Sequence, residues 1–235
     1  MKKIWIDAGH GGFDSGAVGN SLREKDVTLQ LVLYTQSYLE QNYQDIEVRL
    51  TRSTDVFVSL SERAKRANSW GADIFVSIHV NAGGGTGFET YIYQTTGLNQ
   101  TSILQKALHT EIVESIRKYG SIVDRGLKKA NYAVLRETTM SAVLTENLFI
   151  DTVTDAEQLK KENFLHEVGG AHARGIAKYL DLPSKGNTLY VVQARDTFYS
   201  ISKKYNIPVQ QLQCANPGVK PTMLRIGQHI IIPIV

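Results

Sequence analysis

The sequence predicts an α/β domain, a sheet flanked by helices, followed by a small βααβ module. Three observations carry this. Strand and helix signals alternate through about the first 180 residues. Pro183-Ser184-Lys185-Gly186-Asn187 then reads as a linker. Beyond it the pattern becomes strand, helix, helix, strand. The expected domains are therefore 1–182 and 189–235, joined by 183–188.

Each element has its own signal. Lys3-Ile4-Trp5-Ile6-Asp7 is an apolar first strand. A helix is expected from about Val27 to Tyr43, with Asp26 as N-cap and Leu29, Val32, Leu33 and Leu39 as its apolar stripe. Ile46 to Leu50 alternates as a strand. Ser59-x-x-Glu62 is a capping box opening a helix with Leu60, Ala64 and Ala67 on one face. Asp73 to Ile78 is a continuous apolar run, as in a strand buried on both faces. Gly83-Gly84-Gly85-Thr86-Gly87 is expected to be a mobile loop, and Phe88 to Tyr93 a further strand. Leu104, Leu108, Ile112 and Ile116 form the stripe of a long helix that Gly120 closes. Ala142 to Thr145 leads into Glu146 as a strand, and Thr154-x-x-Glu157 opens the last helix, ending near Leu180. In the tail, Leu189–Val192 and Ile230–Pro233 read as strands, with helices over Asp196–Tyr205 and Val209–Gln213.

The composition, 42% hydrophobic and 21% charged over 235 residues, is that of an ordinary globular chain, and no apolar run reaches membrane-spanning length. Cys214 is the only cysteine, which excludes an intramolecular disulfide; it reads as a buried or idle thiol. From Pro183 onward, Lys185, Arg195, Lys203, Lys204, Lys220 and Arg225 face Asp196 alone, a net of +5, leaving −2 for the rest of a chain whose total is +3. A basic tail on a slightly acidic body suits either a polyanionic partner or simple solubility. It lacks the organisation of a nucleic-acid reader.

The chemistry gathers at two strand ends. His10 follows the first apolar run, in Asp7-Ala8-Gly9-His10-Gly11-Gly12, and His79 ends a second, in Ser77-Ile78-His79-Val80-Asn81. A single strand-end histidine is more often a hydrogen-bonded structural residue; two of them with a nearby carboxylate, Glu24, form a set that suits zinc. Two histidines and one glutamate leave a position for water, as in hydrolytic rather than closed structural sites. Between Arg23 and Lys25, Glu24 taken alone reads as an exposed helix-start carboxylate. Glu146, at the end of an apolar run, is costly there unless paired or used. Asn81 should point to the side of His79. His109, His166, His172 and His229 lack such settings and are expected to be structural or surface residues.

Asp7-Ala8-Gly9-His10-Gly11-Gly12, Arg23-Glu24-Lys25-Asp26-Val27, Ser77-Ile78-His79-Val80-Asn81-Ala82 and Thr145-Glu146-Asn147-Leu148-Phe149-Ile150, in that order, resemble the zinc-dependent N-acetylmuramoyl-L-alanine amidases of the amidase-3 type. The likeness runs from about Lys2 to Leu180. It implies that His10, Glu24 and His79 hold Zn2+ and that Glu146 is the catalytic carboxylate, with Asn81 a candidate substrate contact. Leu148 stands where relatives often have glycine. The tail, with Tyr190-Val191-Val192, Asp196-Thr197-Phe198, Asn216-Pro217 and Ile226-Gly227-Gln228, resembles a LysM module, which binds N-acetylated glycans. Arg195 replaces its usual glycine. Asp196 and Thr197 are candidate sugar contacts, and simple helix capping explains them equally well.

The resemblance implies hydrolysis of the amide between N-acetylmuramic acid and L-alanine in peptidoglycan, with the tail as a tether. The expected partner is peptidoglycan, with no nucleic acid or membrane, and the expected state is a monomer. A wall peptidase or deacetylase, or a silent wall-binding protein, are the alternatives. The first strand begins almost at Met1. The expectation is therefore cytoplasmic synthesis without a signal peptide and action at the wall after lysis or non-classical release, as for an endolysin or a mother-cell autolysin.

Overall fold

A computed structural model describes residues 1–95, 99–186, 188–205, 207–216 and 218–233. Asn187 of the expected linker and Pro217 of the tail motif lie outside the described residues. The chain divides into two compact units, 1–40 with 45–182, and 41–44 with 183–235.

The first unit runs β1 (Lys2–Ala8), β2 (Val18–Gly19), β3 (Leu22–Arg23), α1 (Glu24–Asn42), β4 (Ile46–Leu50), α2 (Leu60–Trp70), β5 (Ile74–Asn81), β6 (Phe88–Tyr93), α3 (Gln100–Ile116), β7 (Asp124–Ala130), α4 (Ala133–Arg136), β8 (Ser141–Phe149), α5 (Val153–Leu159) and α6 (Glu162–Leu180). Six strands form one sheet in the order β4-β1-β5-β8-β6-β7. The first four are parallel, β6 runs antiparallel to β8, and β7 is parallel to β6. On one face Trp5, Phe75, Ala142 and Leu144 pack with Ala67 of α2 and Val134 and Leu135 of α4. On the other, Thr145 meets His172 of α6. Gly175 lets α6 close on α3, since a Cβ there would lie 2.9 Å from Leu108 Cα. Apolar β1 and β5 are thus covered on both faces, as their unbroken hydrophobicity requires.

Several expectations are corrected. α1 starts at Glu24, and Asp26 lies in its first turn, paired with Arg23 rather than capping. Its buried face is Val27, Thr28, Leu31, Val32, Thr35 and Leu39, with Leu33 exposed. Two threonines on the core stripe misled the phasing; their hydroxyls donate to Gly9 O and Leu31 O. Ser59 caps α2 as expected, but Leu60 faces solvent while Ala64 and Ala67 are buried. The single last helix is two helices, and Thr154 lies inside α5. Buried Asp155 accepts from Thr86 Oγ1 and from the N–H groups of Gly87 and Phe149. The same bonds, with Gly83 and Gly84 N–H to Asp151 Oδ2 and Thr152 Oγ1 to Gly85 O, tie down the glycine loop expected to be mobile. β7 has no apolar run to betray it, since it is an edge strand reading DRGLKKA.

At β8 the register against β5 shifts between the pairs His79–Glu146 and Asn81–Phe149. Leu148 is the extra residue of this bulge, with φ +66°. That is the backbone reason relatives often place glycine here; Leu148 holds the conformation with a fully buried side chain.

The second unit has the expected βααβ order: β9 (Thr188–Val191), α7 (Phe198–Tyr205), α8 (Val209–Ala215) and β10 (His229–Ile232). β9 and β10 pair antiparallel around a core of Tyr190, Val192, Phe198, Ile201, Ile207, Leu212, Ile230 and Ile232. Asn216 staples α8 to β10, bonding Leu212 O, Ile231 O and Ile231 N. Arg195 has φ +69°, again where relatives carry glycine. Cys214 is free and exposed, not buried. Pro183 and Lys185 of the expected linker bond to Gln44 N and Asn42 O. Among the described residues no helix is long and apolar enough to cross a membrane.

Candidate metal centre and catalytic carboxylate

The site lies where β1 and β5 end side by side. β1 and β5 pair through Ala8–Ile78, so the next residues of each strand emerge together. Gly9 permits this, because a Cβ on it would sit 2.4 Å from the His79 ring. His10 follows at φ +59°, turning its ring back toward His79; the two imidazoles stand edge to face, 5.1 Å apart. Two buried guanidinium groups hold this strained backbone. Arg63 donates to Asp7 Oδ1, Ala8 O and His10 O, and Arg52 donates to Ala8 O and Gly9 O. Carbonyls at such a break lose their sheet partners, so cationic donors inside the fold satisfy them.

Glu24 opens α1 but is only 4% exposed, which rules out the reading as a surface carboxylate. Its Oε1 lies 2.9 Å from His79 Nδ1 and its Oε2 3.1 Å from His10 Nε2. Backbone N–H groups of Val80 and Ala17 donate to the same two oxygens. One ligand atom from each of His10, Glu24 and His79 lies within 4.8 Å of the others. His10 Nδ1 is bound to Asp14 Oδ2 at 2.9 Å, which directs Nε2 inward. Burial favours the neutral forms of these groups, but the mutual contacts outweigh it. Glu24 is held well below the usual carboxylate range, and His79 is lifted to about 8. A tight cluster of two imidazoles and a carboxylate, closely spaced and oriented by a second carboxylate, fits a divalent metal of zinc type by its donor chemistry.

Glu146 stands opposite His79 on β8, in the middle of the strand rather than at its end. Its Oε2 is buried with no hydrogen-bond partner. Burial raises its pKa to about 7, with the charges of Glu24 and Glu89 adding to the rise. A buried ionisable oxygen with no partner, beside a candidate metal cluster, is a candidate for work on a ligand. On the next strand Glu89 faces Glu146.

The structure does not bring Asn81 into this cluster. Asn81 points to the side of His79, as expected, but its Nδ2 donates to Glu89 Oε1 at 2.7 Å, beyond Glu146. Asp196 and Thr197 serve local structure: Asp196 accepts from Gln193 N and Tyr190 OH, and Thr197 Oγ1 caps α7 by accepting from Ser200 N. Sequence reasoning missed Asp14, Glu89, Arg52 and Arg63. Only Asp14, close behind His10, left a local signal; the others depend on which strands become neighbours.

His172 joins the site through a buried chain. Its Nε2 meets Thr145 Oγ1 at 2.9 Å, Thr145 accepts from Asn147 Nδ2, and the same amide donates to His79 O. Burial lowers the His172 pKa to about 4, so the folded chain keeps it neutral. The unfolded chain takes up a proton near pH 6.5. Stability is therefore intact above about pH 6.5 and falls as the pH drops toward 4, by roughly 3 kcal/mol from this group. Denaturant unfolding from pH 7 to 4 measures the slope, and His172→Gln is expected to flatten it.

Comparison with known proteins places this geometry. Residues 4–178 match the family model described as N-acetylmuramoyl-L-alanine amidase, and residues 190–233 match the LysM domain model. An endolysin of Bacillus phage SPP1 is 52% identical over 186 residues, 78% of this chain and 68% of that one. A sporulation-specific N-acetylmuramoyl-L-alanine amidase of Bacillus subtilis is 47% identical over 194 residues, 82% and 74% of the two chains. The catalytic domain of CwlV, an N-acetylmuramoyl-L-alanine amidase of Paenibacillus polymyxa, superposes with a TM-score of 0.72 at 38% identity, covering 78% of this chain and 100% of its own. The shared sheet, the shared motifs and the identity over most of each chain put this protein in the N-acetylmuramoyl-L-alanine amidase family, as a peptidoglycan amidase that carries a LysM wall-binding domain.

Proposed function

We propose that the amidase is zinc-dependent, with His10, Glu24 and His79 as the protein ligands and Glu146 as the proton carrier. The bond cut is the amide joining the lactyl group of N-acetylmuramic acid to L-alanine. The observation that carries this is the position of Glu24, whose two carboxylate oxygens reach the inward nitrogens of both histidines. Zinc in such a centre supplies Lewis-acid polarisation and acidifies water. The chain's own groups do the rest. Asp14 fixes the tautomer and direction of His10. Glu146, poised near neutrality, accepts a proton from the attacking water and returns it to the departing nitrogen. An amine leaves poorly unless protonated, so both halves of that transfer are needed.

Digestion of purified peptidoglycan tests the bond. New amino termini should be alanine, their release should stop on zinc chelation, and zinc should restore it. Another amino terminus, or deacetylation, would assign a different hydrolysis to the same centre.

The LysM domain delivers the enzyme to the wall by raising its local concentration on an insoluble substrate. The seven tail-specific charges act beside sugar contacts: six cations and one acid, so salt weakens binding only in part. Truncation after Gly186 keeps the bonds from Pro183 and Lys185 to residues 42–44. This variant is expected to lose pelleting with intact walls while still cleaving small soluble muropeptides. Undiminished pelleting would move wall binding to the first unit.

A further inference from the structure

We infer the direction in which the substrate crosses the site: its sugar lies over Phe13 and Phe57, and its stem peptide runs toward Arg125 and Lys128, which meet a peptide carboxylate. This rests on Glu146 as proton carrier. Sheet order sets out the groups in a row. The loop carrying His10 follows β1, His79 is on β5, Glu146 on β8, Glu89 on β6, and Arg125 and Lys128 on β7. His79 faces Glu146, and Glu146 faces Glu89, so all three project from one side of the sheet. The departing nitrogen must come within hydrogen-bond reach of the group that protonates it. That nitrogen belongs to alanine, so the peptide lies on the Glu146 side of the ligand cluster. The carbonyl belongs to the lactyl group, so the sugar lies on the His10 side.

The surfaces on the two sides differ in the matching way. Toward β7, Glu89 is 2% exposed, and its Oε2 accepts from Arg125 Nε and Lys128 Nζ. Its other oxygen takes Asn81 Nδ2 and Tyr91 OH. One carboxylate between two cations leaves one positive charge in excess, and both cationic side chains are about one-third exposed. The Arg125 guanidinium sits against Glu89, one strand spacing, about 4.8 Å, beyond Glu146. A dipeptide spans at most about 7 Å, so the carboxylate of the second stem residue reaches this pair.

Toward β1, Phe13 is 84% exposed, stacked on Phe57 with ring centroids 4.1 Å apart. Exposed Val56 is the neighbour of Phe57. The loop under the rings is fixed: Gly11 and Asp14 exchange backbone hydrogen bonds, and Gly12 N donates to Asp55 Oδ1. Lys25 Nζ bonds both Gly12 O and Asp55 Oδ2. A rigid, exposed aromatic face three residues from His10 is a binding surface for an apolar face, and the C–H face of a pyranose ring offers one.

The test compares kcat/KM on N-acetylmuramoyl-L-alanyl dipeptides ending in a carboxylate or an amide, and on the N-lactyl dipeptide without the sugar. Lys128→Gln and Arg125→Gln should each lower the acid-to-amide ratio by about fivefold, the size of a partly exposed ion pair. Phe13→Ala should lower the ratio of sugar-bearing to sugar-free substrate by about fivefold, as for one lost aromatic contact. Ratios are read because a general loss of folding cancels in them. Ratios unmoved in all three variants overturn the inference, as does the exchanged pattern, in which Phe13→Ala alters the acid preference and Lys128→Gln the sugar preference. Either result with an inactive Glu146→Gln enzyme strikes the direction alone, whereas an active Glu146→Gln enzyme strikes the proton-carrier assignment and the direction together.

Discussion

Glu146→Gln is expected to keep its zinc and its wall binding while turnover falls by about 100-fold or more. The substitution preserves size and shape in a strand interior, where β8 is packed between β5 and β6. It removes one capacity, the gain and loss of a proton near neutral pH. With its pKa raised to about 7 by burial, Glu146 is present in both forms near neutral pH, so it can accept from water and donate to the amine within one cycle. Glutamine does neither. Stability should not suffer. The buried Oε2 has no partner in the protein, and an unsatisfied carboxylate oxygen costs more than an amide of the same shape. Thermal unfolding of Glu146→Gln is therefore expected at or above the wild-type temperature, the sign of a group kept for chemistry at the expense of the fold. Near-normal turnover would remove Glu146 from the reaction and send the search to Glu89 and Tyr91, the ionisable groups beyond it.

The second large effect is on the metal. His10→Ala and His79→Ala should each reduce zinc from one per chain to near none, because a three-ligand site left with two anchors binds far more weakly. The consequences differ in kind. His79→Ala leaves Glu24 Oε1 with Val80 N alone. His10→Ala also places alanine at φ +59°, so His10→Asn is the better control for the backbone. Asp14→Ala keeps all three ligands and frees the His10 ring, so a smaller loss, about 10- to 100-fold in affinity, is expected. Metal analysis of the purified variants decides this; full zinc in both alanine variants would sink the ligand assignment.

The first unit's architecture was legible where its residues speak locally. Apolar β1 and β5, the Ser59 cap and the stripe of α3 declare themselves in a few consecutive positions. So did the candidate site, because His10 and His79 each stand where an apolar run breaks and because four motifs recur in order. Edge strand β7, polar and without alternation, stayed invisible, since its place is set by pairing with β6 rather than by its own burial. α1 was mis-phased because Thr28 and Thr35 hold core positions through hydrogen bonds.

By itself, then, the sequence determined the order of the apolar strands and the longer helices, though not β7 or the division of α5 from α6, together with the βααβ tail and the residues able to bind a metal, all of which rest on local hydrophobicity and side-chain type. Only the tertiary structure decided that Glu24 is buried between the two histidines, that Arg52 and Arg63 brace the turn at His10, and that Leu148 and Arg195 occupy left-handed backbone. It also set Glu146 between His79 and Glu89. Those facts depend on which strands lie side by side. Contacts across 55 or more residues, such as His79 with Glu24, follow from packing the whole sheet and leave no trace in any short stretch of chain.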